Sequence, residues 1–422
     1  MSSSSLAPHS DSATNVDTAA STLSARAYVW MLAITVIGGL EIGLFFLDIS
    51  PVLPLVREHY GASYVAAGWA ISVTIVCHSL AVVLAGLVAN RASPRVLLLS
   101  GLLLLLISAI MRAWAPTFVV LLVSRAVTGL GTGCLVTGGI TAITHLSPPP
   151  RRVRDQGYFG AAQQLGIMVT SLVAPVVVHA YQMPVFWWLL AVQVGLVLVM
   201  CWLRYPRLHP QVVADARGAR PLALLKDGYG WLLSIANMAG YAVFVGVTAW
   251  VASFLVERYH TSPTQTALLA SAATLFAVVG RLVASPLLRV MSKRWLIGGF
   301  IALTAASLAA LPFAPNQEVA ALLLLVFAFA SSAPFGLIFG SIADRPAPAG
   351  VARRVVLVVI NSNIAALLLP LLIGYMVSLT HHFSSGFWLI AALTGLVAVV
   401  VLRSSLGRGP SEAVARESVA AV

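Results

Sequence analysis

A chain of 422 residues that is 59% hydrophobic and only 9% charged, with a mean hydropathy of +0.95, has too little polar surface to be a soluble domain. Its net charge of +12 would suit a nucleic-acid binder, but the cations sit in short connectors that face anionic headgroups, and nucleic acid is not the expected partner. Cys77, Cys134 and Cys201 fall in apolar stretches with no CxxC pair, which leaves no case for a disulfide framework or a metal centre.

Residues 1–26 are rich in Ser, Thr and Ala and carry no cation before Arg26, so they read as a disordered tail and not as a signal peptide. Twelve apolar stretches follow, near Ala27–Val56, Tyr64–Ala89, Val96–Ala115, Phe118–His145, Gln156–Ala180, Pro184–Leu203, Gly228–Val256, Thr264–Leu288, Trp295–Ala314, Val319–Ala343, Val355–Leu379 and Phe383–Leu402. Each meets the roughly 20 residues that a helix needs to cross a bilayer core of about 30 Å. We number them spans 1 to 12.

Charge in the connectors alternates. The side that holds both termini receives clusters such as Arg91/Arg95, Arg151/Arg152/Arg154, Lys293/Arg294 and Arg353/Arg354, whereas the other side receives Arg57, Arg112 and Arg258. Cations at span ends stay in the cytoplasm, so both termini are expected there, with the chain a multi-pass protein of the inner or plasma membrane. The longest connector, 204–227, holds several cations and prolines and reads as a cytoplasmic bridge between two six-span halves, 27–203 and 228–402, with 403–422 as a second tail. Trp187, Trp188, Trp231 and Trp388 fall near span ends, where interfacial anchors are expected.

The halves echo each other. Gly86-Leu-Val-Ala-Asn90-Arg91-Ala-Ser93-Pro-Arg95 follows span 2, and Ser285-Pro-Leu-Leu-Arg289-Val-Met-Ser292-Lys-Arg294 follows span 8, 199 residues later. Both windows run small residue, polar residue, serine, arginine in one spacing, as an internal duplication would leave them.

The first window resembles the signature that the major facilitator superfamily carries between its second and third spans, with Asn90 where the family has Asp and Ser93 where glycine is usual. Arg125-Ala-Val-Thr-Gly129-Leu-Gly131 in span 4 is similar to that family's arginine and two glycines. Pro51-Val-Leu-Pro54 with Tyr60-Gly61-Ala-Ser63 resembles its drug-efflux branches. In span 5 only Pro175 is kept of the glycine-rich antiporter signature. The resemblance implies an all-α membrane fold of two pseudo-symmetric six-helix bundles, with spans 1, 4, 7 and 10 lining a central cavity. It also implies a gating loop built on Gly86, Asn90, Arg91 and Arg95, and a role for Arg125 in proton coupling or helix gating.

Ionisable groups inside a membrane are expensive, so each is a functional candidate. Of thirteen acidic residues, Glu41 and Asp48 alone lie deep in a span, and their seven-residue spacing would put both on one helix face. Asp48 and Arg125 lie at matching depth, which makes them candidate partners. Arg281 in span 8 either faces the cavity or snorkels to the interface, and His78 is either a titrating group or packed polar filling. Gln163, Gln164, Asn237, Tyr241, Trp250, Asn361 and Asn363 are candidate substrate contacts, each with interhelical hydrogen bonding as its alternative.

Lys226 and Lys293, the chain's lysines, are followed by Asp227 and Arg294, so no P-loop exists. No HExxH motif is present, and no connector is large enough for a catalytic domain. The expectation is a secondary transporter without cofactor, monomeric, coupling protons to the efflux of small, partly apolar organic molecules by antiport. The alternatives are an uptake symporter for a small metabolite and, less favoured, a membrane sensor without flux.

Overall fold

The computed structural model describes residues 24–62, 64–88, 93–207, 226–345, 347, 351–404 and 406. Asn90, Arg91, almost all of the first tail, nearly all of the second and most of the 204–227 connector lie outside the described residues. Among the described residues, twelve helices are long and apolar enough to cross a membrane: Ala25–Val52, Trp69–Leu87, Pro94–Ala113, Phe118–Leu146, Pro149–Tyr181, Met183–Arg204, Gly228–Tyr259, Leu268–Leu287, Lys293–Phe313, Gln317–Gly340, Val351–Thr380 and Phe383–Arg403. Several start where a polar side chain closes the first turn, as Ser93, Thr117, Asp227, Ser262 and Asn316 do by accepting from a backbone N–H three residues on.

Among the described residues, spans 1, 7 and 10 are interrupted within their length, spans 1 and 10 at prolines. Span 1 is α-helical over Ala25–Phe46, turns at Leu47–Ile49, makes a 3-10 turn over Ser50–Val52 around Pro51, and resumes over Leu53–Tyr60. Span 7 carries a π-helical turn at Met238–Ala242. Span 10 divides at Pro334, which opens a second short helix, Pro334–Gly340.

The helices form two bundles of one design. In the first half, span 1 packs on 5 and 4, span 2 on 4, and span 3 on 4 and 6; in the second, 7 packs on 11 and 10, 8 on 10, and 9 on 10 and 12. Each pairing repeats six spans on. The 199-residue offset of the two loop windows persists at atomic detail. Tyr60 donates to the Ala115 carbonyl at 2.9 Å, and Tyr259 donates to the Ala314 carbonyl at 2.8 Å. Ser93 and Ser292 occupy the N-cap positions of spans 3 and 9, and the Thr117 and Asn316 side chains cap spans 4 and 10. Tyr28 donates to Asp155 in one half, and Arg354 pairs with Asp227 at the corresponding positions of the other.

Within a bundle, close approach depends on absent side chains. A Cβ on Gly133 of span 4 would lie 2.5 Å from the His78 carbonyl of span 2. Lipid offers no hydrophobic drive for helix association, so small residues that permit backbone contact carry much of the packing. Leucines and valines such as Val176, Leu196, Leu371 and Leu396 point outward and stay exposed, as a lipid-facing surface requires.

The bundles meet through span 5 against spans 8 and 10, and through span 2 against span 11. The tightest contacts lie toward the side that holds the chain's termini. A Cβ on Gly340, at the end of span 10, would lie 2.7 Å from Val153 Cα at the start of span 5, and one on Gly336 would lie 2.8 Å from the Val153 carbonyl. A Cβ on Gly157 would lie 2.8 Å from the carbonyl of Arg281. That side is closed.

Candidate functional site

Two adjoining cavities lie between the bundles. The first, about 80 Å³, is walled by spans 1, 2, 4 and 5 of one half and 7, 8, 10 and 11 of the other. The second, about 300 Å³, extends toward the side away from the termini between apolar side chains such as Phe46, Ile75, Phe244, Leu269 and Phe327. Phe46, Gln164, Ile167, Tyr241 and Asn363 belong to both walls, so the two are one pathway with a polar floor and an apolar mouth.

The polar floor gathers candidates from both halves. Gln163 and Gln164 come from span 5, and Ser362 and Asn363, 199 residues on, come from span 11. Asn237 precedes the π-turn of span 7, Tyr241 lies within it, and both line the first cavity. A π-turn changes the helix register locally and is frequent where function needs particular side chains on one face. Asn237 donates to Ser362 at 2.7 Å, and Asn363 donates across the bundle interface to Ser79 at 3.1 Å. His78 lines the same cavity with Nδ1 3.0 Å from the Thr132 hydroxyl and its ring edge-on to Phe46.

Arg281 faces this cavity and is only 4% exposed, so it does not snorkel. Its guanidinium lies 4.3 Å from the Phe335 ring centre and donates through Nη1 to the Gly160 carbonyl and, at 3.5 Å, to Gln163 Oε1. Among the described residues no carboxylate pairs with it, and none lines either cavity.

Beside the pathway, inside the first bundle, is a buried cluster of charge. Asp48 stands between two guanidinium groups, Oδ2 accepting from Arg112 Nη1 and Oδ1 from Arg125 Nη1, and all three side chains are fully buried. Arg125 also donates to the carbonyls of Ala70 (3.0 Å), Phe45 (3.1 Å) and Phe46 (2.9 Å). The last two carbonyls are left open where the span 1 helix stops, so Arg125 stabilises the break that places Asp48. Arg112 lies 4.6 Å from the Trp187 ring centre and is held by Ser108. The cluster has no counterpart in the second bundle. Its equivalent positions are Val247, Leu311 and Leu324, which pack together in that bundle's apolar core.

The Major Facilitator Superfamily profile matches residues 29–260 and 232–420, nearly the whole chain. The chain belongs to this superfamily. It is similar to the uncharacterized MFS-type transporter YceJ of Bacillus subtilis, 24% identical over 84% of this chain and 90% of that one. It is also similar to the nitrite extrusion protein of the same organism, at 23% over 78% and 83%. Among solved structures, the proton:xylose symporter XylE superposes with a TM-score of 0.74 at 15% identity, over 90% of this chain and 97% of that one. The chain is therefore a multi-pass secondary transporter of the superfamily and not an enzyme.

Several sequence expectations need correction at this superfamily site. Glu41 and Asp48 do not share a helix face, because the helix ends at Phe46 and Asp48 lies in the following turn. Glu41 does not line the cavities; it is buried toward span 6, where Gln193 donates to its Oε1, and its Oε2 has no partner among the described residues. Trp250 lines neither cavity. It donates to the Pro370 carbonyl at 2.9 Å and packs on Phe383 inside the second bundle. Asn361 likewise joins span 11 to span 7 by donating to Ser234 at 2.9 Å. The aromatic wall comes instead from Phe335 and Phe339, placed by the Pro334 break. Trp187 is not an anchor at the interface, being 2% exposed against Arg112.

Of the gating-loop residues, Gly86 meets the other bundle at Val356 of span 11. Arg95 stays within its own, donating to the Trp202 carbonyl of span 6. Asn90 and Arg91 lie outside the described residues. Arg112 was missed as a site residue: it ends span 3 and reads from the sequence as a connector charge.

Proposed function

We propose that this chain exports small, partly apolar organic molecules by alternating access, driven by protons. The observation that supports it is the pathway between the bundles, polar where it ends and apolar along its mouth, in a molecule closed on the terminal side. With the arginine-rich side in the cytoplasm, this arrangement is the outward-facing one. A fluorescent reporter fused after Val422 then lights in the cytoplasm, and a cysteine at Ser262 labels from outside. Labelling of Ser262 only from the cytoplasm would reverse the orientation.

Proton coupling needs a group that changes charge during the cycle. Asp48, paired with both Arg112 and Arg125, holds spans 1, 3 and 4 together. Glu41 has an amide partner and no cation among its described contacts, which makes it our proposed proton carrier, with Asp48 and Arg125 as its structural support. Uptake by symport is the second reading. It is favoured by the absence of a carboxylate among the described cavity-lining residues, since proton and substrate then do not compete for one group.

Flux in vesicles separates them. Inverted vesicles with an acidified lumen accumulate substrate if the chain exports by antiport; right-side-out vesicles in acid medium do so if it takes substrate up by symport. Glu41→Gln keeps the bond to Gln193 and abolishes accumulation against a gradient in either case, while exchange of labelled for unlabelled substrate continues. Full accumulation by Glu41→Gln, or its abolition together with exchange, would remove Glu41 as the carrier.

A further inference from the structure

We infer that the transported molecule carries an anionic group, and that Arg281 and Gln163 bind it. This rests on the transport reading above and names the substrate class. A buried cation is costly unless an anion or well-placed acceptors compensate it. Arg281 is 4% exposed, faces the polar floor of the pathway, and has only neutral partners there. Phe335 covers its face, and the Gly160 carbonyl and Gln163 Oε1 both accept from Nη1. Its Nε finds no acceptor among the described residues, and neither does Gln163 Nε2.

The two orphaned groups are both donors. They lie on opposite bundles, Gln163 on span 5 and Arg281 on span 8, with Arg281 reaching across to span 5. Tyr241 belongs to the same wall, and its hydroxyl is a third potential donor. A site with donors to spare, one of them charged, and no acid among the described residues of its wall is complementary to a carboxylate, sulfonate or similar oxyanion. A guanidinium matches such a group with two parallel hydrogen bonds. A cationic substrate would meet uncompensated repulsion. The apolar side chains of the adjoining cavity then suit the remainder of the molecule, so the substrate is an amphipathic monoanion.

Arg281 also links ligand to movement. Its bond to the Gly160 carbonyl ties span 8 to span 5, the helices whose contact closes the terminal side. A full negative charge outcompetes a neutral carbonyl for the guanidinium. Binding of the anion therefore weakens one tie across the bundle interface.

The test uses the full chain in nanodiscs and in proteoliposomes. The probes are benzoate, phenylacetate and benzenesulfonate, each against its neutral amide, with benzylammonium as the cation. The anions should raise Tm in nanodiscs and move across proteoliposomes, and the amides and the cation should do neither. Arg281→Gln should weaken anion binding at least about tenfold, as loss of a charge-assisted bond predicts. Arg281→Lys should restore part of it, and Gln163→Leu, which leaves the cation in place, should weaken it less. A structural role for Arg281 alone would leave the preference for anions over amides unchanged in Arg281→Gln. That result overturns the inference, as does a wild-type chain that takes amides or the cation as readily as the anions, or no anion at all. Flux of neutral or cationic compounds without anions refutes this inference and leaves the transport reading standing. Anion binding with no flux under any gradient does the opposite.

Discussion

Asp48→Asn should destabilise the detergent-solubilised protein by about 3–5 kcal/mol, the usual cost of stranding a buried charge, because it leaves Arg112 and Arg125 facing each other without an anion. The second bundle indicates how to undo this. At the equivalent positions it uses Val247, Leu311 and Leu324, packed in its core. A triple variant, Asp48→Val with Arg112→Leu and Arg125→Leu, should regain most of the lost stability, since apolar replacement of a whole buried ionic cluster is often neutral or better. Recovery falls short of complete, because the carbonyls of Phe45, Phe46 and Ala70 lose the donors of Arg125. The triple variant should also keep gradient-driven accumulation, because Glu41, the proposed carrier, is untouched. Thermal unfolding of the three proteins, with gradient-driven uptake into vesicles, reads both effects. A triple variant no more stable than Asp48→Asn would mean that charge cannot be exchanged for packing here, and a stable one that accumulates nothing would show the cluster to take part in coupling.

The second large effect is expected at Gly340. An added Cβ there would lie 2.7 Å from Val153 Cα, and neither atom can yield while the bundles stay closed on the terminal side. The two residues belong to different bundles, so the clash is relieved by parting them and not by unfolding. Gly340→Val should shift the molecule toward the arrangement open on that side. A bias of about 2 kcal/mol, ordinary for overpacking, changes the ratio of two states about thirtyfold. Spin labels at Arg151 and Arg289, both exposed near that side, should report a longer distance in the variant. Gly43→Ala is the contrasting change. Its Cβ would strike the Gln163 carbonyl and Ile167 within one bundle, where nothing can part, so folded protein should be lost. Unchanged label distances in a folded Gly340→Val would refute the closure account.

Most of the architecture was legible in the chain because lipid imposes a simple demand: long apolar runs, with cations parked on one side. The duplication was legible too, since Ser93 and Ser292 stand at the N-cap positions of spans 3 and 9 and keep their spacing. Arg125 could be paired with Asp48 by counting depth alone. What hydropathy does not register is where a helix stops. Leu44 to Leu47 and Ile49 continue the apolar run straight through the turn after Phe46, so the shared face expected for Glu41 and Asp48 was an extrapolation of a helix that ends. Arg112 was hidden for the opposite reason. It sits in the last helical turn of span 3, where a charge ordinarily meets water, and only tertiary packing on Trp187 and Asp48 turns it inward. Amides two positions apart on one helix divide between pathway and packing: Asn363 lines the cavity, while Asn361 bonds Ser234.

The lone guanidinium of Arg281 has an electrical consequence. The residue lies in span 8 about six residues from its end, or roughly 9 Å at the rise of an α-helix, and access from one side or the other decides where the membrane voltage drops. With the pathway open outward, the charge shares the potential of the external solution; with it open inward, it shares that of the cytoplasm. Switching access therefore carries a positive charge across much of the field while the residue itself hardly moves. An inside-negative voltage of 100 mV acts on a full charge with about 2.3 kcal/mol, enough to hold the empty carrier facing inward. A bound monoanion cancels that charge, so the loaded carrier changes access without opposing the voltage.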